Sequence, residues 1–574
     1  MQHVHNQSNT LREIVGIAAS HAGADTCLIP HVGSVGAAKA IDALAILHAS
    51  AHPTEEAAKA LLATRQMCAI ITKNPSLEGA DPAARQGEAV TKFLATLATN
   101  RRTTRRLKHF FSKPLRFAKK CPHVSAVLSS ARLEIFKLLG QGPSDRDWEA
   151  FERAKVFSKG TVQGIAKGRF TDVDPYAKLS RTQTFTGSRR ALLHFGPMLL
   201  HGPFRQLLQE YALLGQLKVG ESDCSEATCV PKDASVDRFI AIEPMLNAMA
   251  QQGIRAMLDV YLRRWGITLT DQSENVRLAK IASMKGFAPN GFATIDLSSA
   301  SDTITEELVR YLLPAGWFDL LDAARTHTVR WDGEVLATTS FSTMGNAFTF
   351  PLQCLIFSSM VKACIRLTVC EDTRWKVYGD DIILPLSASM LLMEVLRFSG
   401  FTPNETKSFV VGHFRESCGG DYLGGYDVRP VYLKEDVTKL VHKHQFFNAL
   451  QRKNRAHPVL PYLYNTVKRP LVGPAIGPAG GETSHFVAPT WYLRKRRLCF
   501  WNTNTQSYQY RYSCLVGKSR KRHRKTELVS YLCSLLGSHG RWHDIRGSQR
   551  HAIEVRHTTT PWIMAGFAPL WYNL

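Results

Sequence analysis

Between residues 285 and 434, short apolar runs alternate with longer segments whose apolar residues recur at helical spacing. Phe292 to Leu297, Trp375 to Tyr378 and Ile382 to Leu384 read as strands, and Thr305 to Leu313, Phe348 to Leu367 and Ala388 to Gly400 as helices. This alternation predicts an α/β (α+β) core around a small sheet. Upstream the pattern is helical. Residues 36 to 72 read as helices, with Pro53-Thr54-Glu55-Glu56 placing a cap and acidic residues ahead of Ala57-Ala58-Lys59-Ala60-Leu61-Leu62. Another helix begins after Pro82, and residues 140 to 220 alternate helical stretches with loops. Near the end, Pro470 to Gly481 holds seven Gly or Pro in twelve residues and reads as a loop. In Tyr508-Gln509-Tyr510-Arg511-Tyr512, alternation puts three rings on one strand face, as a packed core face or as a stacking surface for bases. There is no internal repeat.

Charge changes the picture. The 574 residues carry 72 Lys plus Arg against 48 Asp plus Glu, a net charge of +24, which suits a polyanionic partner. Residues 101 to 120 hold nine basic residues and no acidic one, among them Arg101, Arg102, Arg105, Arg106 and Lys108. Phe110, Phe111 and Phe117 are interleaved, so phosphate neutralisation and base stacking are both within reach. Further basic runs are Arg494-Lys495-Arg496-Arg497 and Lys518 to Lys525. The twelve Cys residues form no Cys-x-x-Cys pair, which argues against a disulfide framework or structural zinc and for free thiols in a reducing cytoplasm. Met1 to Thr10 is polar, unlike a cleavable signal, and no run of about 18 uninterrupted apolar residues predicts a membrane span.

The candidate chemistry centres on Tyr378-Gly379-Asp380-Asp381, set between apolar flanks. Adjacent carboxylates at the tip of an apolar hairpin repel each other and lose solvation, so they call for a bound cation and a partner. Asp296, at the end of the strand Phe292 to Leu297, is the expected partner. Three carboxylates from two strand ends suit a pair of Mg²⁺ ions about 3.5–4 Å apart, with Mn²⁺ as a substitute, holding substrate phosphates. Nucleotidyl transfer is the reaction class that follows.

Other segments fit that chemistry. Asp302, six residues after Asp296, can accept from a ribose hydroxyl, and Ser301 to Glu306 also reads as a helix N-cap. Asn346, in the loop Ser342-Thr343-Met344-Gly345-Asn346, can donate to and accept from a 2′-OH, which separates RNA from DNA. Lys232 and Arg238 can neutralise a triphosphate, or pair with Asp233, Asp237 or Glu243 at the surface. Lys407 can protonate a departing pyrophosphate.

In this order the motifs resemble those of a viral RNA-dependent RNA polymerase. The strings Ile295 to Thr303, Ser342 to Phe350, Val377 to Ile383, Phe414 to Gly419 and Asp427 to Pro430 are similar to the replicase subunit of leviviruses, over roughly residues 225 to 435. The resemblance implies a right-hand fold of fingers, palm and thumb. The palm, on a small antiparallel sheet with helices, would span 291–435, following an N-terminal region and fingers (1–220) and a basic fingers motif (221–290). The thumb and basic C-terminal region would fill 436–574. It also implies metal-binding roles for Asp296, Asp380 and Asp381, and a fingers role for Lys232 and Arg238. A nucleotide-sensing role falls to Ser342, Gly345 and Asn346, and Phe414 to Gly419, with Arg415, becomes a turn near RNA. Copying from the template 3′ end without a primer, host elongation factors Tu and Ts with ribosomal protein S1, and the cytoplasm of a bacterial host are implied likewise. Two positions depart from the family pattern: Gln353, where the best-known sequences carry an acidic residue, and Asp421, where His is usual. A reverse transcriptase would place a bulky side chain shortly after Asp296, where this chain has Ser298-Ser299-Ala300-Ser301. A non-catalytic RNA-binding protein would need no such aspartates.

Overall fold

The computed structural model describes residues 35–74, 81–154, 161–164, 184–199, 218–433, 440–453, 475–479, 485–521, 551–559 and 563–564. Its N-terminal part is helical: α1 (Val35–Ala51), α2 (Glu55–Lys73), α3 (Pro82–Phe111), α4 (Pro114–Lys120), α5 (Pro122–Leu139) and α6 (Asp145–Ala154). Thr54 caps α2 as its sequence predicts, its hydroxyl accepting from the Ala57 N–H. Asp81 caps α3, with Pro82 in the first turn, where a missing N–H costs nothing. Between residues 140 and 220 the structure adds what periodicity does not announce, a parallel pair of β1 (Thr184–Gly187) and β2 (Lys218–Glu221) flanking α7 (Arg189–Leu199).

A four-stranded sheet follows, ordered β4 (Asp237–Ile242), β3 (Cys224–Pro231), β7 (Thr328–Trp331), β8 (Glu334–Ala337). Two helices, α8 (Met245–Arg264) and α9 (Ser273–Lys285), lead to the central strands β5 (Phe292–Ile295) and β6 (Leu297–Ser298). Then come α10 (Glu306–Leu312), α11 (Ala315–Ala324), α12 (Thr349–Leu367), β9 (Lys376–Tyr378), β10 (Asp381–Pro385) and α13 (Leu386–Ser399). The central sheet is antiparallel in the order β5-β10-β9, with Ile382 opposite Ile295 and Asp381 opposite Tyr378. Every residue of β5 is buried, so both faces are covered and the sequence runs apolar without alternation. Helix α12 packs against the sheet in the main core, beside α5 and α13. It is long and apolar enough to cross a membrane, but 72% of that stretch is buried inside the protein, as in a core helix.

Beyond α13 come the short strand β11 (Thr402–Pro403), which pairs with β6, and then a small three-stranded sheet of β12 (Phe414–Ser417), β13 (Gly420–Leu423) and β14 (Tyr426–Asp427). A separate cluster gathers Leu433, Phe446, Phe447, Phe486, Tyr510 and Tyr512, and Tyr508 packs against it. The tyrosine row is therefore a core face. Within Pro470 to Gly481, the described residues hold a two-residue strand, Ile476–Gly477, paired with Phe486–Val487. Residues 470–474 and 480–481 of that segment, Arg522 to Lys525 and Met1 to Thr10 lie outside the described residues.

The aromatic rings of the first basic run pack against the core, Phe117 fully and Phe110 and Phe111 in part. Phe117 is 2% exposed, stacked on Phe398 at 5.3 Å, and Phe111 stacks on Tyr311 at 3.9 Å. Apolar burial of large rings outweighs what an exposed stacking surface would gain.

Candidate active site

Asp296 follows β5 and stands across from Asp381 in the extension of the β5–β10 register. Its neighbours hold it on three atoms. The Asn404 side-chain amide donates to a carboxylate oxygen at 2.9 Å, the Asn404 N–H donates to the Asp296 carbonyl at 2.8 Å, and the Ser408 hydroxyl accepts from the Asp296 N–H at 3.2 Å. Gly379 and Asp380 form the two-residue turn between β9 and β10. Gly379 has φ 62°, and a Cβ there would sit 2.5 Å from the Phe350 ring, so both conformation and space demand glycine. The Gly379 N–H donates to the Cys354 thiol on α12 at 3.1 Å, which fixes the turn from beneath.

The carboxylates crowd one another. Burial raises the Asp380 pKa, Asp296 adds to the rise, and Lys407 and Lys232 oppose it. Burial, Asp380 and Asp296 push Asp381 up to about 7, against a hydrogen bond from the Cys418 backbone. Such an excess of partly desolvated negative charge fits a divalent cation. Asp296 and Asp380 line a cavity of about 790 Å³, and Asp381 is not part of its lining. Among the described residues, the acidic group whose ligand atoms all lie within 4.8 Å of one another is Glu306, Asp322 and His327, not the three aspartates. Arg310 and Arg325 already pair with Glu306, and Arg190 and Arg325 with Asp322, so that second cluster is an ion-pair network with its charge met.

The same cavity is lined by Lys232, Arg238, Asp302, Gly345, Asn346 and Lys407. Desolvation works against the charge of Lys407, but Glu416, Asp296 and Asp381 outweigh it and hold the ammonium above its usual pKa. Asp302 is 7% exposed, and burial pushes its carboxyl up to about 7. It does not cap α10: the N-cap is Thr305, three residues on. The chain turns first, the Asp302 N–H donating to the Ser299 carbonyl and its own carbonyl accepting from Asn100 and Ser340. Gly345 has φ 115°, and a Cβ would lie 2.1 Å from the Ala241 carbonyl oxygen, because its loop is laid against β4 by the Ala241 N–H to Met344 carbonyl bond. The Asn346 side-chain oxygen Oδ1 accepts from the Phe348 N–H, while its buried side-chain nitrogen Nδ2 and the buried Ser342 hydroxyl have no partner among the described residues. Buried polar atoms left open in this way favour a hydrogen-bonding ligand.

Arg415 corrects the sequence-based expectation of an RNA contact. It is fully buried, and its guanidinium donates to the carbonyls of Phe292, Val411, Gly412, Phe414 and Gly286. An arginine so saturated with backbone acceptors is structural, and burial lowers its pKa to about 10. Arg101, Arg102, Arg105, Arg106 and Lys108 are exposed on α3, outside the cavity lining. Arg106 donates to the Phe398 carbonyl at 2.6 Å at the C-terminal end of α13. Sequence reasoning missed Lys39, Lys73 and Lys92, which reach the cavity from α1, α2 and α3. No local motif marks them, since they lie far from the carboxylates along the chain.

Comparison with known proteins agrees with these motifs. A family model described as RNA replicase, beta-chain, matches residues 43–563. The chain is 42% identical over 238 residues to the RNA-directed RNA polymerase subunit beta of Enterobacteria phage SP, covering 41% of each chain. It is 37% identical over 356 residues to that of Escherichia virus Qbeta, covering 60% of this chain and 55% of the relative. With the RNA-directed RNA polymerase beta chain of Escherichia phage MS2 it shares 39% over 290 residues, half of each. The chain thus spans about half the length of the relatives it matches. Because the family model spans most of its length, the chain belongs to the RNA replicase beta-chain family.

Proposed function

We propose that this chain is an RNA-dependent RNA polymerase that copies a positive-strand RNA phage genome by two-metal nucleotidyl transfer, starting at the template 3′ end without a primer. The observation that carries the reading is the half-buried set of carboxylates Asp296, Asp380 and Asp381, at the junction of β5 and β10 beside a cavity rimmed with lysines. Two Mg²⁺ ions, or Mn²⁺, held by Asp296 and Asp380 with Asp381 next in the chain, would lower the nucleophile's pKa and neutralise the leaving pyrophosphate.

The remaining work falls to the chain's own side chains. Lys232 and Arg238 receive the triphosphate, and Lys407, held protonated, is suited to give its proton to the departing pyrophosphate oxygen. Asp302 and Asn346 address the ribose, with Ser342 and Gly345 shaping the loop. Ser298, Ser299, Ala300 and Ser301 line the cavity with small groups that leave room for a 2′-OH, which supports ribonucleotides over deoxyribonucleotides. In this reading residues 291–435 are the palm of a right hand, with fingers within 1–220 and 221–290 and the thumb within 436–574. The exposed basic face of α3 would meet RNA phosphates. Host elongation factors Tu and Ts and ribosomal protein S1, in a bacterial cytoplasm, are the proposed partners.

The test is incubation of purified protein with a candidate genomic RNA, four ribonucleotides and Mg²⁺, with and without bacterial extract. Template-length RNA is the expected product, and product only with extract identifies a need for host subunits. Affinity for RNA with no incorporation under either condition would leave a binding protein only.

A further inference from the structure

Four contacts dock the N-terminal helices onto β4 and the loop between β3 and β4. The Ala234 N–H donates to the Thr72 carbonyl at the end of α2 at 3.1 Å. The Lys39 ammonium donates to the Ser235 hydroxyl at 2.7 Å, and Ser235 is itself held by Asp233. On α3, Arg85 pairs with Asp237 at 3.0 Å and Phe93 stacks on Phe239 with centroids 4.1 Å apart. Together these seat Lys39, Lys73 and Lys92 on the same cavity wall as Lys232 and Arg238.

Several carboxylates share the cavity: Asp237 is paired with Arg85 and Asp42 with Arg65, while Asp233 accepts from its own loop at Ser235 and Val236 and its charge also reaches Lys39 and Lys73. Asp296, Asp302, Asp380 and Glu416 line the same space. Desolvation lowers the Lys73 pKa and Lys407 lowers it further. Lys232 is lowered by desolvation, then by Arg238, Lys92 and Lys407. Like charges gathered around one cavity repel until an anion joins them. The lysines ring a cavity rather than lining a stripe, and about 790 Å³ is the scale of one nucleotide, not of a duplex.

We propose that Lys39, Lys73 and Lys92 form a second anion subsite, which takes the polyphosphate tail of a ribonucleoside triphosphate on its way to Lys232 and Arg238. The assignment rests on the polymerase reading above for its substrate, and on the cavity alone for its anion. These are positioning residues, placing the triphosphate without touching the reacting phosphorus.

The experiment uses the full chain with Lys73→Gln, Lys92→Gln and the double substitution, against Lys59→Gln on the exposed side of α2 as control. Calorimetric titration with inorganic tripolyphosphate reads the subsite directly, and steady-state kinetics read KM against kcat. The double variant is expected to bind tripolyphosphate about tenfold or more weakly and to raise the ribonucleotide KM by a similar factor, with kcat changing much less. The control is expected to match wild type. Unchanged tripolyphosphate affinity and KM in an active double variant overturns the subsite. So does weakened RNA template binding with an unchanged KM, which would make these lysines a backbone contact. If wild type makes no RNA yet binds tripolyphosphate through Lys73 and Lys92, the subsite stands and the polymerase reading falls.

Discussion

Arg415 and Asp421 lie on neighbouring strands of one hairpin, and both are fully buried. Arg415 donates to carbonyls gathered from distant segments, Phe292 and Gly286 among them, so Arg415→Met is expected to cost about 3–5 kcal/mol in chemical denaturation while leaving RNA affinity unchanged. Loss of RNA affinity in a protein of normal stability would return Arg415 to the RNA-binding surface. Asp421 pairs with Arg65 at 2.9 Å and Arg429 at 3.3 Å, which gives the departure from the usual His a physical reason: the two guanidiniums need an anion between them. Glu243 gives a pH signature. Burial pushes its carboxyl up to about 7, against hydrogen bonds from Thr326 and Gln251 and the charge of Arg325. A folded-state pKa above the unfolded one means the native state binds the extra proton, so stability is highest below about pH 4.5 from this group and falls as pH rises toward 7. Glu243→Gln is expected to flatten that decline, raising Tm at pH 8 relative to wild type and leaving it nearly unchanged at pH 5. An equal shift at both pH values would contradict it. At this scale the aspartates were legible because Gly-Asp-Asp between apolar flanks is a local pattern. Arg415 was not, because charge reads as surface unless the fold supplies acceptors from distant segments.

Elements were legible where the chain's own periodicity decided them. The predicted strand Ile382 to Leu384 and helix Phe348 to Leu367 match β10 and α12 to within a residue at most boundaries. The four-stranded sheet was not foreseen, because β3 gains its parallel partner β7 about a hundred residues away, Cys224 opposite Thr328. The start of α10 at Glu306 was legible to within a residue, but its cap was not at Asp302, since the turn at Ser299, with φ 52°, occupies the stretch that resembles a cap. The loop from Ser342 to Asn346 depends on close backbone approach to β4. Gly345→Ala is therefore expected to destabilise the protein by about 2 kcal/mol or more and to impair ribonucleotide incorporation, because the added methyl meets the Ala241 oxygen in a strained backbone. Wild-type Tm and activity in that variant would show the loop to be free of β4.

At the level of the whole molecule, the excess of 24 positive charges and the lysine-rimmed cavity tie the fold to a polyanion. RNA affinity is expected to fall steeply and linearly on a log–log plot against salt, and a flat plot would contradict a phosphate-based interface. Helices α1 to α3 were legible as helices, but their place on the cavity wall was not, since tertiary contacts such as Arg85 with Asp237 set it. The central claim is that Asp380, with Asp296, organises divalent cations for nucleotidyl transfer. Its most direct measurement is Mg²⁺-dependent incorporation of labelled ribonucleotides on an RNA template, in bacterial extract, by wild type and by folded Asp380→Asn protein. Wild type is expected to incorporate label and to stop on chelation, and Asp380→Asn to lose about 10³-fold or more of the rate with RNA binding retained. Incorporation by Asp380→Asn at the wild-type rate would contradict the account.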